Sequence, residues 1–405
     1  MLYQAYQAQA DLMAPVRSLA TLAANAIGHP SAGMPGHGFV RNLTAAYELI
    51  SRAGLTHKRP AFGIGSVTVG NREVAVREEA AHVTPFGTLL HFKKDVESVQ
   101  PRVLLVAPLS GHFATLLRGT VKTMLPEHDV YITDWHNVRD VPVSAGRFGF
   151  DEYIEHIISF LEVMGEGAHV LSVCQPCVAV LATAAVMAQG NHPCQPRSMT
   201  LMAGPIDTRV NPTKVNELAN SKPISWFENN LIARVPFRYA GAYRKVYPGF
   251  VQLAAFMSMN IERHVKAHRE LYDNLANGEH EKARVTKDFY DEYFAVLDLT
   301  AEFYLETVRI VFQEHKLPTG QLEYDGQKIE PRAIKRTMLL TVEGEKDDIC
   351  AVGQTAAAHD LCSGLRQYRK KHHMQTGVGH YGVFSGKRWE GQIYPLVKNV
   401  ILSSE

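Results

Sequence analysis

The sequence predicts an α/β protein: a mostly parallel central sheet with helices on both faces and a large helical insertion. Three observations carry that expectation. Short apolar runs alternate with helix-length segments from about residue 102 to residue 205. The alternation then stops for roughly 120 residues and resumes near residue 336. The runs are apolar nearly throughout, not at every second residue, as in strands covered on both faces. At 405 residues and 46% hydrophobic content, the chain can fill such a core.

In chain order, residues 1–57 read as a helical segment, because Leu12, Met13, Val16, Leu19 and Leu22 recur at near-helical spacing. "GHPSAGMPGHG" at 28–38 breaks it with glycine and proline. Residues 58–205 form the first part of the core. It opens with antiparallel strands at "SVTV", "REVAVREEA" and "TLLHF". Four parallel strands follow, "RVLLVAP" (102–108), "DVYITDW" (129–135), "HVLSVC" (169–174) and "RSMTLMAGP" (197–205), with helices between them. Residues 206–330 read as helices and loops, a cap inserted into the sheet. Residues 331–405 complete the core: a strand in "RTMLLTVEGEKDD", a helix near "AVGQTAAAHDLC", a short strand at "KKHHMQ" and a last helix at "QIYPLVKNVIL".

Composition narrows the function. A net charge of +1 argues against nucleic acid as the main partner. Five cysteines, an odd number without framework spacing, suggest reduced thiols. The N-terminus has no basic residue before Arg17 and does not read as a secretory signal. The longest apolar run, Cys177 to Ala188, falls short of the about 20 residues a bilayer span needs. The expectation is a cytoplasmic protein with no transmembrane segment.

In open parallel sheets, chemistry gathers at the carboxyl ends of strands. Cys174 follows "HVLSV", Asp347 and Asp348 follow "TMLLTVEGE", and His380 lies in "TGVGH" after the last strand. Nucleophile, acid, histidine is the chain order of the α/β-hydrolases, whose nucleophile sits on a sharp strand-to-helix turn. A thiolate is the attacking species, so a histidine must take its proton, and a carboxylate must hold that histidine in one tautomer. The oxyanion needs two backbone N–H groups: one from Gln175, the other from Leu109 or Ser110 in "APLSGH". Asp347, three residues past Gly344, is preferred as the acid, leaving Asp348 to cap a following helix. Asp207 is the reserve acid, and His372 and His373 are weaker bases than His380. "CQPC" also matches a redox motif, but that reading leaves the Asp and His strand ends unexplained, so Cys177 is taken as packing. His264 and His268 have i, i+4 spacing without a third ligand, and read as a helix surface and not as a zinc site. No metal or organic cofactor is implied.

"SVCQP", "TVEGEKDDI", "TGVGHYGVFSGKRW" and "DVYITDW" together resemble the intracellular poly(3-hydroxybutyrate) depolymerases, cytoplasmic enzymes of short-chain polyhydroxyalkanoate granules. The resemblance covers most of the chain and implies an α/β-hydrolase fold with Cys174 as nucleophile, Asp347 as acid and His380 as base. It also implies a granule surface and a polymer chain as partners, is compatible with a homodimer, and leaves coenzyme A thiol open as acceptor in place of water. A more distant resemblance runs to the polyhydroxyalkanoate synthases, acyltransferases with the same Cys-Asp-His set. Their elbow carries glycines after the cysteine, where this chain has Gln175 and Pro176. Between Trp226 and Phe256 the insertion is rich in aromatics. Trp226, Phe227, Phe237 and Tyr239 are its candidate substrate-binding residues, either as a cap packing its own core or as a lid facing a water-insoluble polyester.

Overall fold

The computed structural model describes residues 2–28, 38–96 and 99–405. The chain begins with two helices, α1 (Leu2–Gly28) and α2 (Gly38–Arg52), which pack on each other. Most of the Gly/Pro break expected between them lies outside the described residues. Three strands follow, β1 (Ser66–Val69), β2 (Arg72–Val83) and β3 (Gly87–Lys94), paired antiparallel. Next come β4 (Arg102–Val106), α3 (Arg118–Met124), β5 (Asp129–Trp135), α4 (Phe150–Met164), β6 (His169–Val173), α5 (Cys177–Gln189) and β7 (Ser198–Met202).

The insertion carries α6 (Lys214–Asn220), α7 (Ile224–Leu231), β8 (Ala233–Arg234), β9 (Lys245–Tyr247), α8 (Gly249–Met259), α9 (Ile261–Ala276), α10 (His280–Tyr293), β10 (Leu299–Thr300) and α11 (Ala301–Thr307). A small hairpin, β11 (Glu323–Tyr324) and β12 (Gln327–Lys328), ends it. The core resumes with β13 (Met338–Gly344), α12 (Ala358–Leu361), β14 (Lys370–Gln375), α13 (Gly386–Arg388) and α14 (Tyr394–Leu402).

Nine strands form the main sheet in the order β1-β2-β3-β5-β4-β6-β7-β13-β14. From β5 to β14 every pairing is parallel, and β3 joins β5 antiparallel. Alternate side chains of each central strand enter different cores. Leu104 and Val106 of β4 pack with α4 and α5, while Val103 and Leu105 pack with α3 and α14. Covered faces on both sides are why these strands read as unbroken apolar runs.

Three expectations need correction. The insertion is not purely helices and loops: β8, β9 and β10 form a three-stranded sheet beside the hairpin. Strands of two or three residues are too short to show alternation in a sequence. The segment "AVGQTAAAHDLC" is mostly turns, with helix only at Ala358–Leu361. Its backbone is drawn instead to the buried Glu343 carboxylate, which accepts from the N–H groups of Gly353, Thr355 and Ala356. His264 is not on a helix surface: it is buried beside Tyr290 and Tyr293, because α9 packs against both α2 and α10. The expected N-terminal helix is present as α1, and the apolar positions that forecast it, Leu12, Met13, Val16, Leu19 and Leu22, face solvent. The helix docks through Tyr3, whose hydroxyl donates to the buried Asp298 at 2.6 Å, and through Tyr6, which stacks on Phe250 of α8. Among the described residues no helix is long and apolar enough to cross a membrane.

Candidate active site

β6 ends at Val173 and α5 begins at Cys177, so the chain turns from strand to helix within three residues. Cys174 takes the strain, with φ at +67°. A non-glycine residue there is uncommon and costs about 1–3 kcal/mol, a strain that gathers at functional sites. The turn is pinned at both ends: Cys174 N–H donates to Met202 O, and Cys177 N–H donates to Cys174 O. Pro176 fits at the start of α5, with φ at −65°. Gly204, just past β7, makes room for the turn, since a Cβ there would collide with the Cys177 side chain. Thr355 holds Gly204 in place, its hydroxyl accepting from Gly204 N–H and donating to Gly204 O.

His380 lies past β14 and Asp347 past β13. Asp347 Oδ2 accepts from His380 Nδ1 at 2.8 Å, and both side chains are buried. Its other oxygen accepts from the N–H groups of Ile349 and Cys350, both at 2.9 Å. The turn is thus capped by Asp347 itself. Asp348 starts no helix, the next one being α12, so its expected capping role falls away.

With Nδ1 committed to Asp347, Nε2 of His380 is left for the sulfur of Cys174. Burial alone would depress the histidine. The Cys174 thiolate and the Asp347 carboxylate outweigh it and hold His380 well above its ordinary pKa.

The backbone N–H groups expected to receive an oxyanion are those of Gln175, Leu109 and Ser110. Among the described residues, none of their three backbone N–H groups has a hydrogen-bond partner. The loop holding Leu109 and Ser110 is fastened to the insertion. Leu297 N–H donates to Gly111 O, and the His112 ring bonds Tyr293 O at 3.1 Å. His112 also stacks on Phe256 of α8 and Tyr293 of α10. Burial pushes its pKa down to about 4, so it packs as a neutral ring. Sequence reasoning missed His112. The only signal was its place in "APLSGH", the segment already quoted for the oxyanion loop.

The alternatives are engaged elsewhere. Asp207 is gripped by Arg209 at 2.7 and 2.8 Å. His372 bonds Thr341 and His373 bonds Gln375. Cys177 is fully buried, bonded to Ser172, and burial pushes its thiol up to about 12. Such a sulfur is a poor redox partner, since the thiolate is the reactive form.

The four cap aromatics expected to bind substrate make the following contacts. Phe227 is buried with its edge against Trp226, and Phe237 is 81% exposed. Tyr239 lies under Arg139 and bonds Gln7 of α1. The aromatics over the oxyanion loop are instead Phe256 and Tyr293.

Comparison with known proteins gives three findings. Residues 203–405 match the family model described as PHB de-polymerase C-terminus. The poly(3-hydroxyalkanoate) polymerase subunit PhaC of Haloferax mediterranei is 21% identical over 377 residues, covering 89% of this chain and 69% of that protein. A soluble variant of monoglyceride lipase from Saccharomyces cerevisiae superposes with a TM-score of 0.50 at 11% identity, over 86% of this chain and 99% of the lipase. That likeness makes the fold an α/β-hydrolase fold and carries nothing about substrate.

Proposed function

Because the chain belongs to the family described as the PHB de-polymerase C-terminus, we propose that it hydrolyses ester bonds of poly(3-hydroxybutyrate) and related short-chain polyhydroxyalkanoates through an acyl-cysteine. One observation carries the reading: Cys174 stands at a strained elbow beside a buried His380 that Asp347 holds by Nδ1. That is the working geometry of acyl transfer.

Cys174 sulfur attacks the ester carbonyl carbon, and the carbonyl electrons move to an oxyanion. The N–H groups of Gln175 and of Leu109 or Ser110 receive it. Collapse breaks the ester C–O bond, and His380 gives the thiol proton to the departing alkoxide, which becomes a hydroxyl end. His380 then takes a proton from water, whose oxygen displaces the sulfur and frees the acid. Asp347 accepts from Nδ1 of His380 and so keeps Nε2 facing the reaction. Coenzyme A thiol in place of water would release a thioester by the same route. The granule surface is the proposed partner and the cytoplasm the proposed setting.

The similarity to a polymerase subunit supports a second reading, in which the same residues elongate a chain from a hydroxyacyl thioester. One pair of assays separates the two. Soluble 3-hydroxybutyrate released from amorphous granules by the wild type, with no polymer formed from hydroxybutyryl-CoA, supports the hydrolase. Polymer without release supports the synthase.

A further inference from the structure

We infer that the side chain of Gln175 binds the free 3-hydroxyl of a polyester chain end, so that the polymer is trimmed from its hydroxyl terminus. This rests on the hydrolase reading above.

Gln175 directly follows the nucleophile and is 8% exposed. Among the described residues, neither its Nε2 nor its Oε1 has a hydrogen-bond partner. Buried polar groups in native proteins are nearly always paired, and those that are not concentrate where a ligand completes them. A primary amide asks for both an acceptor and a donor.

An interior repeat of the polyester offers only acceptors, its carbonyl and ester oxygens. It can satisfy Nε2 but leaves Oε1 unmet. A terminal unit carries a 3-hydroxyl, which accepts from Nε2 and donates to Oε1. Reach is consistent with this. The hydroxyl sits two carbons from the carbonyl carbon under attack, and the backbone N–H proposed to hold that carbonyl's oxyanion belongs to Gln175 itself.

With the terminal unit so placed, Cys174 sulfur bonds its carbonyl carbon and the C–O bond to the next unit breaks. The proton from His380 turns the departing alkoxide into a new 3-hydroxyl end. Water then releases one 3-hydroxybutyrate. Every turnover regenerates the group that Gln175 recognises.

The test compares two soluble four-unit oligomers of 3-hydroxybutyrate, one with a free terminal hydroxyl and one capped there as a methyl ether. The wild type is expected to favour the free end in kcat/KM by roughly 10- to 100-fold, releasing monomer first. Gln175→Met keeps the length of the side chain without its amide, and should bring that ratio close to one. Titration calorimetry on Cys174→Ala reads the same preference without turnover. There the free-ended oligomer should bind more tightly, and adding Gln175→Met should abolish the difference. Equal cleavage of both oligomers by the wild type, or equal binding by Cys174→Ala, overturns the inference. A binding preference without any cleavage would sustain the role of Gln175 and sink the hydrolase reading.

Discussion

The Asp347 carboxylate is fixed on one side before it meets the histidine on the other. Oδ1 takes two backbone N–H groups and Oδ2 takes His380 Nδ1. Asp347→Asn would keep its carbonyl oxygen on the two N–H groups and turn its NH2 toward His380. Nδ1 would then have to accept, and Nε2 would carry its proton toward the sulfur, the wrong tautomer for a base. Steady-state kinetics should show kcat lower by roughly 10³- to 10⁴-fold with KM little changed. At Cys177 the expectation is the opposite. Its sulfur is buried and turned to Ser172, so Cys177→Ser should keep activity within about twofold, measured beside an inert Cys174→Ala. The sequence made both cysteines visible, and the strand-end pattern chose between them. It could not reveal the Gly204–Thr355–Glu343 support, whose members come from separate segments and meet only in the fold.

At the scale of elements, α1 straps the insertion through several contacts, among them Tyr6 stacked on Phe250, Asp11 paired with Arg238, and a buried hydrogen bond from Tyr3. Asp298 accepts from Tyr3 hydroxyl on one oxygen and from Gly249 N–H, at the start of α8, on the other. Burial raises the Asp298 carboxyl to about 6, against the pull of those two donors. Tyr3→Phe leaves one oxygen without a donor at a fully buried site. Denaturant unfolding should show a loss of about 1–3 kcal/mol. Unchanged stability would mean that α1 is held elsewhere. The exposed stripe of Leu12, Val16 and Leu19 explains why this docking was not legible in the sequence. Helical periodicity announces a helix, but the tyrosines near its start help decide where it binds.

At the scale of the whole molecule, four histidines are held neutral by burial: His57, with its pKa pushed down to about 3, and His112, His128 and His359, each to about 4. All four lie below the unfolded value of about 6.5. Their contribution to stability is therefore complete above pH 6.5 and is lost as pH falls toward 4, where the unfolded chain binds protons that the fold refuses. Asp298 works the other way, gaining as pH falls through 6, as do Asp134, Asp151 and Glu292, whose carboxyls burial also raises, but burial lowers His156, His169, His264 and His315 as well and keeps the histidines in the majority. His380, raised above its ordinary value, holds its contribution throughout that window. The thermal midpoint should fall steeply as pH drops below about 6.5; a flat profile from about 6.5 down to about 4 would contradict this. The parallel sheet was the most legible part of the molecule, because strands buried on both faces leave little room for polar residues. The chain order of its strand ends then placed the candidate site, whereas two-residue strands and lone loop residues such as His112 left no pattern to read. The central claim, that Cys174 carries the acyl group, is tested most directly by rapid quenching with a 3-hydroxybutyryl ester, followed by mass analysis of the protein and its peptides. One 3-hydroxybutyryl group on the peptide holding Cys174, absent in Cys174→Ala, is the expected result. Ester turnover with no such adduct, or with the adduct on another residue, would contradict the account.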